Sequence, residues 1–251
     1  MSAPEIVAIL AAGFAAGTIN VLVGSGTLIT FPVLLAFGFA PVTANVSNSL
    51  GLAPGALTGA FGYRRELAGQ WRRTARLTVA TVTGAVIGAV LLLILPAAAF
   101  KSIVPIFIVL ALILIVAQPW LSARVAERVK ARSPHAPGPL LFAGVLLAGV
   151  YGGYFGAAQG ILLMSMLAIG LAEPLQRVNA VKNLLAGLAN LVSGVIFAFA
   201  APHLDWAVAG LLAASSISGG VLGARYGRRL PSSALRALIV AVGIVALVRL
   251  L

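Results

Sequence analysis

Residues 24–59 read GSGTLITFPVLLAFGFAPVTANVSNSLGLAPGALTG. A Gly-Ser-Gly-Thr break at residues 24–27 separates two apolar runs. The run that follows, residues 28–39, is too short to cross a hydrocarbon core about 30 Å thick comfortably. Pro41 then opens a helix-like segment, an acceptable first-turn position for proline. That segment carries Asn45, Ser47, Asn48 and Ser49 among apolar neighbours. Gly51, Gly55 and Gly59 recur along it at every fourth position, a small-residue stripe for close helix packing. So much polarity inside an apolar segment demands a structural or a functional reason.

The whole chain shares this apolar setting. Its 251 residues are 61% hydrophobic and 9% charged, with mean hydropathy +1.10. A soluble domain of this length needs far more surface charge. Several apolar runs reach bilayer-spanning length, and they are continuous rather than alternating, which argues against a membrane β-barrel. The net charge of +12 does not indicate nucleic acid here, because the basic residues fall in connections between apolar runs. No cysteine is present, so disulfide and thiol chemistry are excluded. The first residues lack a basic stretch, so the first apolar run is expected to remain as a membrane segment.

The pattern predicts membrane segments over residues 4–23, 28–39, 41–63, 74–95 and up to about 118. Residues 119–139 are the longest hydrophilic stretch, with Arg124, Glu127, Arg128, Lys130 and Arg132. The second half then repeats the first. A shift of 132 places Gly17, Gly24 and Gly38 on Gly149, Gly156 and Gly170. A shift of 135 places Val46, Asn48 and Gly59 on Val181, Asn183 and Gly194. The same shift places Trp71, Gly84, Gly88 and Leu95-Pro96 on Trp206, Gly219, Gly223 and Leu230-Pro231.

Charge orients the repeats. The connection holding Arg64, Arg65, Arg72 and Arg73 is basic and therefore cytoplasmic, whereas its counterpart at 200–205 has no Lys or Arg. The next connection reverses the bias: 96–101 holds only Lys101, and its counterpart holds Arg225, Arg228 and Arg229. Equivalent connections thus lie on opposite sides. The expectation is an all-α polytopic membrane protein of two inverted-topology repeats. Each has about five hydrophobic segments, with short glycine-broken helices near the midplane. Residues 1–118 form the first repeat, 119–138 a basic cytoplasmic linker, and 139–251 the second, within one membrane domain. Both termini fall outside, with Arg249 a mild exception. The first two segments of each repeat either both span or form a re-entrant hairpin. Paired broken helices in inverted repeats point to a transporter with its site near the midplane.

The candidate binding residues follow from this arrangement. Ser25 and Thr27 stand in the first break, and Gln159 in its twin, residues 156–160. Each break precedes a short helix, whose N-terminus suits an anion; the competing reading is a tight turn that needs glycine. The Lys-Ser/Thr of a soluble phosphate loop is missing. Asn45, Asn48 and Ser49 share one helix face, as do Asn179, Lys182, Asn183 and Asn190. These amides either contact substrate or join helices; Asn190, in the stripe position of Gly55, reads as helix glue. Lys182 has no carboxylate at helical spacing, Glu173 being nine positions earlier, so an anionic substrate is its natural counter-charge. Arg177, nearer the helix end, either assists or extends toward the interface. Catalysis finds little support, since His135 and His203 sit in connections on opposite sides and no carboxylates pair within a segment. No enzyme activity, cofactor or metal is expected.

The stretch AAGTINVLVGSGTLITFPVLLAFGFAPVTANVSNSLG at 15–51 resembles the sulfite exporter TauE/SafE family of bacterial membrane permeases, as do NAVKNLLAGLANLVSG at 179–194 and GGVLGARYGRRLP at 219–231. Ser25 stands where that family often has a further glycine. The resemblance implies a multi-pass protein of the bacterial inner membrane. It implies transport of a small sulfur-containing anion, such as sulfite, sulfoacetate or another organosulfonate, usually outward. Substrate would meet the polar residues after each short helix. The expected partners are that small anion and the lipid bilayer, with no nucleic acid and room for a homo-oligomer. An importer of the same fold and a non-transporting membrane scaffold are the competing readings.

Overall fold

A computed structural model describes residues 1–130, 138–171 and 173–226, together with 237, 240, 241 and 244; side chains at 118, 119 and 121–130 are outside that description. The described residues form helices joined by short connections. The first half holds α1 (Ala3–Leu22), α2 (Thr27–Ala36), α3 (Pro41–Gly62), α4 (Trp71–Ile94) and α5 (Ala97–Lys130). The second holds α6 (Pro139–Tyr154), α7 (Gln159–Leu171), α8 (Leu175–Ala200) and α9 (Trp206–Tyr226).

Local chemistry explains the helix starts. Pro41 and Pro139 occupy first-turn positions, where a missing N–H costs nothing. Ser2 N–H donates to Glu5 Oε2 at 3.0 Å ahead of α1. Asp205 Oδ1 accepts from the N–H groups of Ala207 and Val208, both at 3.0 Å, and so caps α9.

The helix bounds follow the expected segments closely, with one difference. A polar linker was expected from residue 119, but α5 continues through Pro119 to Lys130. Proline removes one backbone hydrogen bond and kinks a helix without having to end it. Residues 131–137 lie outside the described residues, as do His135, Arg228, Arg229, Pro231 and Arg249.

Among the described residues, five stretches are long and apolar enough to cross a membrane: α1, α4, residues 97–117 of α5, α8 and α9. α3 is equally long at 22 residues. In contrast α2 and α7, with 10 and 13 residues, reach only about 15 and 20 Å at 1.5 Å per residue. Both are shorter than a hydrocarbon core about 30 Å thick. Gly144 of α6 faces Met166 of α7, and Gly170 near the end of α7 faces Leu141 near the start of α6. α7 therefore retraces α6.

Small residues set how closely the long helices approach. α1 and α9 run the same way: Gly13 meets Leu212 and Ser215, and further along Thr18 meets Gly223. α4 and α6 do likewise, with Gly84 against Leu146 and Gly88 against Val150 and Tyr154. α3 and α8 run oppositely, Leu57 meeting Gly187 and Leu50 meeting Gly194. These directions bring Arg64, Arg65, Arg72, Arg73, Arg177 and Arg225 to one end of the bundle, the basic end, and Lys101 and His203 to the other.

The backbone contact at Gly88 generates a stability prediction. A Cβ there would fall on the Val150 carbonyl oxygen and 2.7 Å from Tyr154 N, both backbone atoms that cannot swing aside. Gly88→Leu should lower stability by about 1–3 kcal/mol or prevent assembly. Gly210→Ala, which meets nothing within 4 Å, should be neutral. Thermal unfolding of both variants in one detergent separates them; equal melting temperatures would refute the close-approach account.

Candidate functional site

Two helices of this bundle end in its interior, and each leaves carbonyl groups without intrahelical partners. α1 finishes at Leu22. Ile19 O accepts from Val23 N at 2.7 Å and Gly24 N at 3.1 Å. The next carbonyls turn to α8, in the other half of the chain. Lys182 Nζ donates to Asn20 O at 3.0 Å and to Val21 O at 3.2 Å. Asn179 Nδ2 and Asn183 Nδ2 also donate to Val21 O, at 3.2 and 3.3 Å. A cation at the negative end of a helix dipole is favourably placed, and Lys182 is only 1% exposed.

α6 ends in the same way at Tyr154. Tyr151 O accepts from Phe155 N at 2.9 Å and Gly156 N at 3.1 Å. Tyr154 O then accepts from Asn45 Nδ2 of α3 at 2.9 Å. Each half thus supplies the side chains that cap the interrupted helix of the other. One cap is charged and one is neutral.

After each helix end the chain turns through a glycine with positive φ, Gly24 at 86° and Gly156 at 76°, a conformation that other residues adopt only at a cost. The two turns bring the halves together: Gly160 N donates to Gly24 O at 3.0 Å. Asn20 Oδ1 accepts from Gly26 N at 2.7 Å, which fixes the start of α2. Gln159, at the start of α7, donates to Ala148 O at 3.1 Å.

A cavity of about 10 Å³ lies between these turns, roughly the space for one water-sized probe. Asn20, Thr27, Gln159, Asn183 and Asn190 line it with Gly24, Gly156 and Gly160. Of the residues singled out in the sequence, Thr27, Gln159 and Asn183 therefore meet at one place. Lys182 does not line the cavity but is tied to the backbone of Asn20, which does. Asn20 is not among the candidates that the sequence offers, and Asn190 reads there as helix glue. Their signal was weak: one Asn four residues before a glycine break, and one Asn within a glycine stripe.

The remaining candidates lie elsewhere. Asn48 joins α2 to α3, accepting from Thr30 Oγ1 and donating to Thr27 Oγ1 at 3.3 Å. Ser49 Oγ bonds back to Asn45 O at 3.0 Å. Ser25 is buried, and its Oγ has no hydrogen-bond partner among the described residues; the same holds for Asn45 Oδ1 and Asn179 Oδ1. Arg177 sits at the basic end, paired with Glu173 at 3.3 Å.

A profile described as Sulfite exporter TauE/SafE matches residues 9–250. The chain belongs to the sulfite exporter TauE/SafE family. A "Probable membrane transporter protein" of Haemophilus influenzae is 30% identical over 226 residues, 88% of this chain and 85% of that one. "Probable membrane transporter protein ORF9" of Sinorhizobium sp is 27% identical, over 96% of this chain and 90% of its own. "Probable membrane transporter protein YfcA" of Escherichia coli K12 is 27% identical, over 86% and 76%. No solved structure matches. This TauE/SafE chain is a multi-pass membrane transporter, and the capped helix ends describe the interior of such a protein.

The Asn48 contacts can be tested as a structural joint. Thr30→Val and Asn48→Ala should each destabilise the protein. Their double-mutant cycle should return a coupling of about 1 kcal/mol in equilibrium unfolding. Strict additivity would show that the pair does not join α2 to α3.

Proposed function

We propose that this TauE/SafE member is a secondary transporter of the bacterial inner membrane that exports a small sulfur-containing anion, such as sulfite, sulfoacetate or another organosulfonate, by alternating access. The observation that carries this reading is the polar cavity at the meeting of the two glycine turns. Residues from both halves line it, and the charge of Lys182 is held one hydrogen bond away. Irregular backbone at membrane depth is tolerated only where protein or a cavity surrounds it.

An arrangement of two inverted repeats, with Gly24 and Gly156 at the tips of re-entrant hairpins, fits the helix contacts. If α1 corresponds to α6 and α4 to α9, the pairing of α1 with α9 exchanges into that of α6 with α4. These are the two most extensive pairings in the bundle. The basic end is then cytoplasmic. On this reading the cavity is seen closed: its 10 Å³ cannot hold a sulfite ion, so substrate binding requires the tips to part.

The energetics favour export without a coupling ion. No carboxylate among the described residues lines the cavity. An inside-negative potential contributes about 2.3 kcal/mol per 100 mV to outward movement of a monoanion. Import of a similar anion uses the same geometry under another gradient.

Sulfite or sulfoacetate should raise the melting temperature of the purified protein by several degrees and cross proteoliposome membranes. Lys182→Met should remain folded and lose both responses, while Gln159→Ala and Asn183→Ala should weaken them. If a folded Lys182→Met responds as the unchanged protein does, the lysine has no part in binding. Flux under a clamped potential should proceed without an imposed proton or sodium gradient; an absolute need for one would exclude the uncoupled mechanism.

A further inference from the structure

The basic end of the bundle holds an ionic cluster that the central cavity does not use. Glu173 stands just before α8, between two arginines. Its Oε1 accepts from Arg73 Nη2 at 2.9 Å, and its Oε2 lies 3.3 Å from Arg177 Nε. Arg73 belongs to the first turn of α4, and Arg177 to the first turn of α8. Arg177 Nη2 also donates to Ala68 O, in the connection before α4, at 3.0 Å. Gln70 accepts from Arg73 and donates to Glu66 O at 2.7 Å, which steadies that connection. One carboxylate therefore straps the start of α4 to the start of α8, and with them the two halves of the chain.

Two features set this cluster apart from an ordinary surface ion pair. A cavity of about 380 Å³ opens beside it, lined by Gln70, Arg72, Arg73 and Glu173, ample for a small oxyanion. Among the described residues the cluster also has no counterpart at the opposite end. The 135-residue shift relates Arg73 to Val208 and Arg177 to Val42, both apolar. There Ser47 Oγ accepts from Asp205 N at 2.9 Å instead.

A guanidinium presents the same fork of donors to a carboxylate, a sulfite or a sulfonate. Glu173 thus fills, as a tethered carboxylate, the place that a free oxyanion arriving from this end would take. Arg73 and Glu173 are partly exposed, at 17% and 18%, so an arriving anion can compete for them. α8 links the cluster to the interior, because it carries Arg177 in its first turn and Lys182 and Asn183 farther along.

We propose that Arg73 and Arg177 form a recruiting site for a small oxyanion at the basic end, and that Glu173 keeps this mouth closed until the anion displaces it. The proposal rests on the reading of the chain as an anion transporter. Displacement frees the start of α8 from α4, so the mouth opens only when an anion is present.

The chain has no cysteine, so one thiol can report on the mouth. Thr74, 1% exposed, lies in α4 next to Arg73, and Thr74→Cys is nearly isosteric. Labelling of this variant by a charged, membrane-impermeant thiol reagent should be slow. Saturating sulfoacetate should accelerate it about fivefold or more, the usual range of coupling between sites. Adding Glu173→Gln should make labelling fast without anion. Arg177→Gln removes the hydrogen bond to Ala68 O that ties the start of α8 to the connection before α4, and should act likewise, which covers failure of either variant to fold. Melting temperatures with and without sulfoacetate are measured on the same samples. Labelling that stays slow in all cases, while sulfoacetate still stabilises the protein, overturns the strap and leaves the transport reading intact. Absence of both stabilisation and flux with sulfite and sulfoacetate removes the transport reading and this proposal with it.

Discussion

Everything near the centre of this protein depends on how a helix ends inside an apolar bundle. α1 stops at Leu22, where no bulk water is available to its last carbonyls. Val21 O receives three donors from α8, and Asn20 O shares one of them. A lysine suits this place because the end of a helix carries partial negative charge. The arrangement ties the end of α1 to α8, although the two lie about 160 residues apart. It also answers the cost of burying an ammonium group, since Lys182 lacks a carboxylate partner but not hydrogen-bond acceptors.

The second interrupted helix has the lighter solution. Among the described residues, Asn45 is the side chain that reaches Tyr154 O, and its own Oδ1 has no partner there. Close packing supplies the remaining order. Phe155, one residue past α6, meets Phe31 edge-on with ring centres 5.1 Å apart, and Phe100 packs at 6.0 Å. The two halves therefore differ in how they end their interrupted helices. The 135-residue shift sets Ser47 against Lys182, and Ser47 binds the connection before α9.

Most of the fold was legible in the sequence because membrane segments announce themselves by length and hydropathy. The glycines at Gly24 and Gly156 could be located for a related reason, since a polar or glycine-rich break stands out in an apolar run. Pro119 and the charges after it suggested a linker, yet α5 runs on to Lys130: such residues weaken a helix near its end without forbidding it. The site was less legible. The one-dimensional pattern singled out Thr27, Gln159 and Asn183, which the fold brings to one cavity. It could not reveal that Asn20 folds back onto Gly26 N, nor that Lys182 faces the end of a helix in the other half. Those facts depend on which helices become neighbours, and no local pattern encodes that.

If the central cavity takes the substrate as proposed, the hydrogen bond from Gly160 N to Gly24 O sets a condition on it. An anion larger than the 10 Å³ cavity then fits only after this bond opens. Opening it in an apolar interior would leave a donor and an acceptor unpaired, at a cost of about 1–3 kcal/mol for each group. The donor, at the start of α7, points from the positive end of a helix dipole and suits an anion. The acceptor suits only a donor, and Lys182 is already committed to the carbonyls just before it. An anion that accepts from Gly160 N thus repairs one half of the opened pair. The freed Gly24 O must then be met by a side-chain amide, by water or by a protonated substrate oxygen. A small, hydrated oxyanion with one protonated oxygen meets both demands, whereas a spherical halide can meet only the first.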